Sequence, residues 1–321
     1  MEKGGMRMYN AELKGRFLNE MTASEDSRKS AELMFDSFGR VESRYGLDLY
    51  EMDQSQLEEA LNETNAVRQA SAVNRKEMMK KYLAWCEAQG ICGENKYIDN
   101  IEADLSGNIR RYLVANPAHM QKILNQSFYP EDDDTIENTY RVYLWMAYSG
   151  MADADIFKLT ADNINLSEMT VYLRNREYPI YRESIKAVKK CITLTAFERK
   201  NPNYKKKCLQ PRAGGKTLLR GVLNKELNEE FFKQRINRRI RMSAKQHQVD
   251  IKLSYRRAWE SGIFYRMYEM ETAGARVDFG PAADAFMAQQ EYKSKRIDAV
   301  RRNYVRLYEQ DYNAWKKVYH G

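Results

Sequence analysis

The sequence predicts a mainly α-helical protein in two domains, with a small β-hairpin in the second. Three observations predict it. Apolar residues recur at steps of three and four through much of residues 11–90, the period of helices that bury one face. One short run, MTVYLR at 169–174, is instead rich in β-branched and aromatic residues, as strands are. Between these regions lies a less regular stretch with Gly93, Gly107, Pro117 and Pro130. The chain of 321 residues is long enough for two cores, and 43% apolar with 31% charged residues is a globular composition. The expected organisation is a disordered N-terminus over 1–10, a helical domain over 11–92, a linker with short helices over 93–128, and a second domain over 129–321.

In the first domain, Met34, Phe38, Val41 and Tyr45 are spaced as one face of a helix. Ser24 suits its N-cap, Glu25 and Asp26 suit the positive end of its dipole, and Gly46 suits its end. A short acidic helix starts at Asp53. Another follows, with Met78 or Met79, Tyr82 and Cys86 on one face and Gly90 as its stop.

In the second domain, carboxylates at 131–134 open a helix that runs through YLWMAY to a Ser-Gly turn at 149–150. A second helix starts beyond the turn, at ADADIFKL. MTVYLR then pairs with EYPIY, whose Pro179 confines it to a sheet edge. Residues 201–220 read as a basic loop. Phe232, Ile236 and Ile240 mark the inner face of the helix that follows, and Arg235, Arg238, Arg239 and Arg241 lie on its other faces. A last helix runs from about Lys293 to Tyr319, with Ile297, Val300, Tyr304, Leu307 and Trp315 near one stripe.

The net charge of +8 is uneven. Residues 1–130 hold 17 Lys and Arg against 20 Asp and Glu, a net of −3; residues 171–260 hold 24 against 8, a net of +16. So concentrated a charge repels itself unless a polyanion offsets it, and nucleic acid is the commonest polyanion.

Several classes are excluded. There is no phosphate-binding loop, since AGGKT at 213–217 lacks the first glycine at the required spacing, and neither HExxH nor a nucleophile elbow occurs. Cys86, Cys92, Cys191 and Cys208 are scattered, and His119, His247 and His320 are isolated, so no metal or cofactor is expected and the thiols read as reduced, cytoplasmic ones. No apolar run approaches a bilayer span, and MEKGGMRMYN does not read as a secretory signal.

The order of elements resembles the tyrosine recombinases, the phage integrase family, over roughly residues 11–320. The resemblance implies a helical core-binding domain and a larger catalytic-type domain forming a clamp on double-stranded DNA. Ser149-Gly150-Met151-Ala152, then Asp155 and Leu159, is similar to the family's first motif, with Ala152 at the position of the arginine that grips the scissile phosphate. The segment LSYRRAWE is similar to the second motif, His-x-x-Arg; Arg256 falls at the arginine, followed by Arg257, and Leu253 falls at the histidine. Arg174 or Arg176 stands where the hairpin lysine would act as general acid, and arginine is a poor proton donor because its pKa is too high. The third motif, Leu-Gly-His, does not occur.

The resemblance also implies a nucleophilic tyrosine beyond that point. Tyr292, Tyr304, Tyr308 and Tyr312 are candidates; Tyr304, 48 residues after Arg256, sits on the apolar stripe of its helix, where packing explains it equally. Loss of several members of one catalytic unit predicts DNA binding without cleavage, since such groups act together. The expected protein is then a phage or mobile-element repressor. The alternatives are an active recombinase keeping Arg256 and Tyr304, and a structural protein that binds no DNA.

The residues expected at DNA are Arg28, Lys29, Asn74, Arg75 and Lys76 in the first domain, near helix starts. In the second they are Arg174, Arg176, Lys205, Lys206, Lys207, Lys216, Arg220, Arg238, Arg239, Arg241, Arg256 and Arg257. Asn and Arg suit base edges, whereas Lys mostly positions a protein on phosphates. The C-terminal helix, through the aromatics of LYEQDYNAWKKVYHG, could link protomers into a homo-oligomer or fold back on its own core. No membrane partner is expected.

Overall fold

A computed structural model describes residues 8–22, 24–64, 66–129, 134–199, 208–211, 215–221, 226–247, 252–289 and 297–321. Most of the N-terminal segment expected to be disordered, residues 1–7, lies outside the described residues. The chain forms two units, Met1–Ile109 and Arg110–Gly321.

The first unit is built from α1 (Ala11–Met21), α2 (Glu25–Tyr45), α3 (Gln54–Asn62) and α4 (Gln69–Ala88). Ser24 caps α2 by accepting the Ser27 amide at 3.2 Å, and Gly46 ends it at a φ of 68°, which a side chain would disfavour. Asp53 and Gln56 form a reciprocal capping box on α3. The core is aromatic: Phe17 meets Phe35, Tyr82 and Trp85 edge-on at 5.3–5.8 Å between ring centroids. Of the Met78–Met79 pair, Met79 faces inward with Tyr82 and Cys86.

The inward face of α2 keeps Phe38 and Val41 of the expected stripe, with Met34 partly buried against the core, but not Tyr45. Ala31, Phe35, Phe38, Val41 and Glu42 are buried, whereas Tyr45 is exposed and donates its hydroxyl to Glu59. Glu42 lies on this face because Lys14 comes with it. Lys14 Nζ lies 2.5 Å from Glu42 and 3.3 Å from Asp48, all three are fully buried, and Tyr82 and Asn10 also donate to Asp48. An apolar count along one helix cannot see a buried charge whose partner comes from another.

Residues 93–128, expected to link the domains, divide between the units. Ile98 and Ile101 complete the first core, α5 (Ser106–Tyr112) spans the boundary, and α6 (Pro117–Ser127), capped by Asn116, belongs to the second unit.

The second unit continues with α7 (Thr135–Tyr148), α8 (Asp153–Ile156), β1 (Ile164–Asn165), β2 (Thr170–Leu173), β3 (Arg176–Pro179), α9 (Ile185–Thr193), β4 (Ala196–Arg199), β5 (Cys208–Pro211), α10 (Glu229–His247), α11 (Tyr255–Thr272), α12 (Gly280–Gln289) and α13 (Ile297–His320). Every residue of α7 is buried, which makes it the central element. Strands β1, β2 and β3 form an antiparallel sheet in that order, with Pro179 on the edge strand as expected. A second antiparallel pair, β4 with β5, was not expected: strands of four residues carry too little periodicity to be read.

Helices α7 and α11 touch through backbone. A Cβ at Gly262 would lie 1.6 Å from the Tyr148 carbonyl oxygen, so only glycine permits the approach. The buried stripe of α13 is Tyr308, Asp311, Tyr312 and Trp315; it shares Trp315 with the expected one, whereas Val300, Tyr304 and Leu307 are half-buried and Ile297 is exposed. Tyr312 enters this core with its hydroxyl donating to Glu271 at 2.6 Å, and Tyr308 packs there against the Phe264 and Phe286 rings. Helix α13 folds back on its own unit: Trp315 donates to the Val114 carbonyl at 3.1 Å and Tyr319 to the Leu113 carbonyl at 2.7 Å.

Candidate nucleic-acid interface

The Ser-Gly turn after α7 is held by α11. At the end of α7 and in the turn beyond it, the carbonyls of Tyr148, Gly150 and Met151 accept from Arg266 at 3.2 Å, Trp259 at 3.1 Å and Tyr255 at 2.8 Å. Ser149 turns its hydroxyl to the Pro179 carbonyl at 2.6 Å, which ties the turn to β3. Gly150 adopts a φ of 88°, and a Cβ there would meet the Arg266 guanidinium. The sequence of the turn thus follows from what packs on it.

The turn forms one wall of an open concavity of about 1440 Å³. Ala152, Arg174, Arg176 and Arg256 all line it, with Tyr255, Trp259 and Phe286. Four residues singled out from the sequence therefore converge. Leu253 is buried just before α11, and Ser254, the next residue, caps that helix by accepting the Arg257 amide. Tyr304 packs on Phe286 at 5.0 Å, and the Arg256 guanidinium lies 5.0 Å from the same ring, so the two share one aromatic neighbour.

The hairpin turn brings the rim arginines into place. Arg174 and Asn175 both have left-handed backbones, with φ of 50° and 60°, in a two-residue loop closed by the Leu173–Arg176 pair. Asn tolerates that conformation; Arg adopts it at a cost of about 1 kcal/mol or more. The Arg174 guanidinium lies 3.0 Å from Asp155.

The same walls carry carboxylates that no motif marks. Asp153 accepts from Tyr143 at 2.6 Å and pairs with Lys233 at 2.9 Å; Asp284 pairs with Arg301 through two bonds of 2.6 and 2.9 Å. Burial, then the bond to Asp153, pushes the Tyr143 hydroxyl well above its ordinary pKa. Arg256 donates through Nε to Glu260 at 3.1 Å, and Arg257 donates to the other oxygen of that buried carboxylate at 2.7 Å. The i+3 and i+4 spacing of Glu260 from the two arginines is the only sequence signal for it.

The remaining residues expected at DNA fall into three groups. Arg238 and Arg241 are exposed on α10 and Lys216 is exposed, as Asn74 is on α4. Others are engaged within the fold. Arg239 pairs with the largely buried Glu137 at 2.8 Å, and Arg220 donates to the Thr217 carbonyl. Arg75 donates to Thr64, and Lys76 holds the carbonyls of Asp99 and Ile101 at 2.9 and 2.8 Å. Arg28 bonds Glu32 and Asn19, Lys29 pairs with Glu25 on an exposed face, and Arg257 lies 5.6 Å from the Tyr112 ring. Lys205, Lys206, Lys207 and Tyr292 lie outside the described residues. No helix among the described residues is long and apolar enough to cross a membrane.

Residues 8–88 match the family described as MrpR, N-terminal core-binding domain, which spans most of the first unit. No curated protein matches the chain. Among solved structures it is similar to XerA recombinase, at 12% identity and a TM-score of 0.39 over 98% of this chain and 99% of that one. The Tn1549 transposon integrase in complex with circular intermediate DNA is similar at 12% identity and a TM-score of 0.36, over 91% and 94%. The lambda integrase bound to DNA is similar at 10% identity and a TM-score of 0.34, over 83% and 89% of the two chains.

Proposed function

We propose that this chain binds duplex DNA without cutting it and acts as a transcriptional regulator, a phage or mobile-element repressor being the most concrete form. One observation carries the reading. Arg174, Arg176 and Arg256 line a single concavity with Ala152, while Leu253 is buried in the core. Such a cleft holds phosphate-binding guanidinium groups but offers neither the gripping arginine nor the histidine that the resemblance requires for strand cleavage. Arg238 and Arg241, exposed on α10, offer further cations to a phosphate backbone. The match of residues 8–88 to a core-binding domain supports a DNA-reading role for the first unit.

A second reading, an active recombinase with a divergent site, draws on the packing of Tyr304 against the ring that also carries Arg256. A gel shift with the duplex flanking the protein's own gene tests the first. Binding at low salt that weakens steeply as salt rises is expected; absence of any shift at low salt overturns it.

A further inference from the structure

The proposed reading assigns phosphate contact to Arg256 and leaves open what holds that long side chain in place. Arginine on a helix surface samples many rotamers, and ordering it costs entropy that a phosphate contact must offset. Here the side chain is fixed from two directions. Its Nε donates to Glu260 Oε1 at 3.1 Å, and its guanidinium lies 5.0 Å from the centre of the Phe286 ring. Glu260 is 2% exposed, whereas Arg256 is 49% exposed and lines the concavity. The carboxylate therefore lies inside the unit, away from any phosphate, and acts on the cleft only through the arginines it holds.

Glu260 also takes Arg257 at 2.7 Å, through its second oxygen. One buried charge thus serves two guanidinium groups that leave it on different sides: Arg256 toward the concavity, Arg257 toward Tyr112. Because Arg256 uses Nε for Glu260, the end-on edge formed by its two terminal nitrogens is left for a phosphate, and that edge can make a bidentate contact.

We infer that Glu260 is a positioning residue for nucleic-acid binding, presenting the terminal nitrogens of Arg256 to a phosphate oxygen. This rests on the proposed DNA binding by the cleft. The inference has a sign that separates it from bulk electrostatics. Replacing a carboxylate near a polyanion's surface by a neutral group should tighten binding by charge alone. Loss of positioning should weaken it.

The test measures binding of the full-length chain to a short random-sequence duplex at low salt, for the wild type, Arg256→Ala, Glu260→Gln and the double variant. Glu260→Gln is expected to bind roughly fivefold to tenfold more weakly, and the double variant no more weakly than Arg256→Ala, the non-additivity of two groups acting as one. Tighter binding by Glu260→Gln, or additive losses, overturns the inference. An arm without DNA follows the Arg256 Nε–H proton by NMR, assigned by its absence in Arg256→Ala. Slow exchange in the wild type is expected, and exchange at the rate of a free arginine overturns the inference even where Glu260→Gln fails to fold. Failure of the wild type to bind any duplex overturns the DNA reading instead, and the proton measurement still decides the role of Glu260.

Discussion

Arg239 and Glu137 form an ion pair of 2.8 Å that joins α10 to the N-terminal turn of α7. Glu137 also accepts the Tyr129 amide at 2.7 Å, and burial pushes its carboxyl above the usual carboxylate range, which Arg239 partly offsets. Its neighbour Arg238 is exposed. Adjacent arginines thus differ: Arg239 is paired within the fold and Arg238 faces solvent. Arg239→Ala should cost about 1–3 kcal/mol of stability by leaving a buried carboxylate short of its cation. Arg238→Ala should leave melting unchanged and lower the slope of log affinity against log salt by about 1. Thermal unfolding and salt titrations of both variants check the division.

Gly262 tests the packing of the second unit. Alanine there would place its Cβ within 1.6 Å of the Tyr148 carbonyl oxygen, so α7 and α11 must separate. Gly262→Ala should destabilise by about 2–3 kcal/mol despite the better helix propensity of alanine. It should also weaken DNA binding, because the carbonyls held by Trp259 and Tyr255 shape the wall of the concavity. Melting unchanged from the wild type would contradict the close approach.

Glu42 should make the first unit sensitive to pH. Burial, with Asp48 adding to it, pushes its pKa up to about 7 in spite of Lys14. The folded protein therefore holds this proton more tightly than the unfolded chain does. Its contribution to stability is complete at acid pH, below the ordinary carboxylate range, and is lost as pH rises through about 7. Melting curves of the wild type and Glu42→Gln between pH 5 and pH 8, conditions chosen to bracket the change at roughly those values, should diverge in that sense, with a flatter profile for the variant.

Trp315 tests where the last helix docks. It is fully buried and donates to the Val114 carbonyl of its own unit. Trp315→Ala should cost about 3–5 kcal/mol. Docking within one chain also predicts a wild-type melting temperature that does not depend on protein concentration; a strong dependence would indicate exchange between protomers.

Much of the fold was legible in the sequence because its signals are local. Ser24 and Gly46 bound a helix by their own backbone chemistry, and MTVYLR with Pro179 marks a hairpin and its edge. The inward faces of α2 and α13 were legible only in part, at Phe38, Val41 and Trp315, because buried Glu42 and Asp311 look like surface residues until their surroundings are known. The site divides the same way. Ala152, Arg256 and the hairpin arginines were found by motif position. Glu260, Asp153 and Asp284 were not, because their meaning lies in the cations they meet, and for Asp153 that cation is 80 residues away. Arg75, Lys76 and Arg239 are expected at DNA and each is also bonded within the fold, which composition cannot show.

The central claim is that the cleft grips DNA and does not cut it. Incubation with a nicked duplex that traps covalent intermediates, followed by denaturing electrophoresis, tests it most directly. The account predicts a salt-sensitive complex under native conditions and no protein–DNA adduct after denaturation. A covalent adduct that disappears in Tyr304→Phe would contradict it.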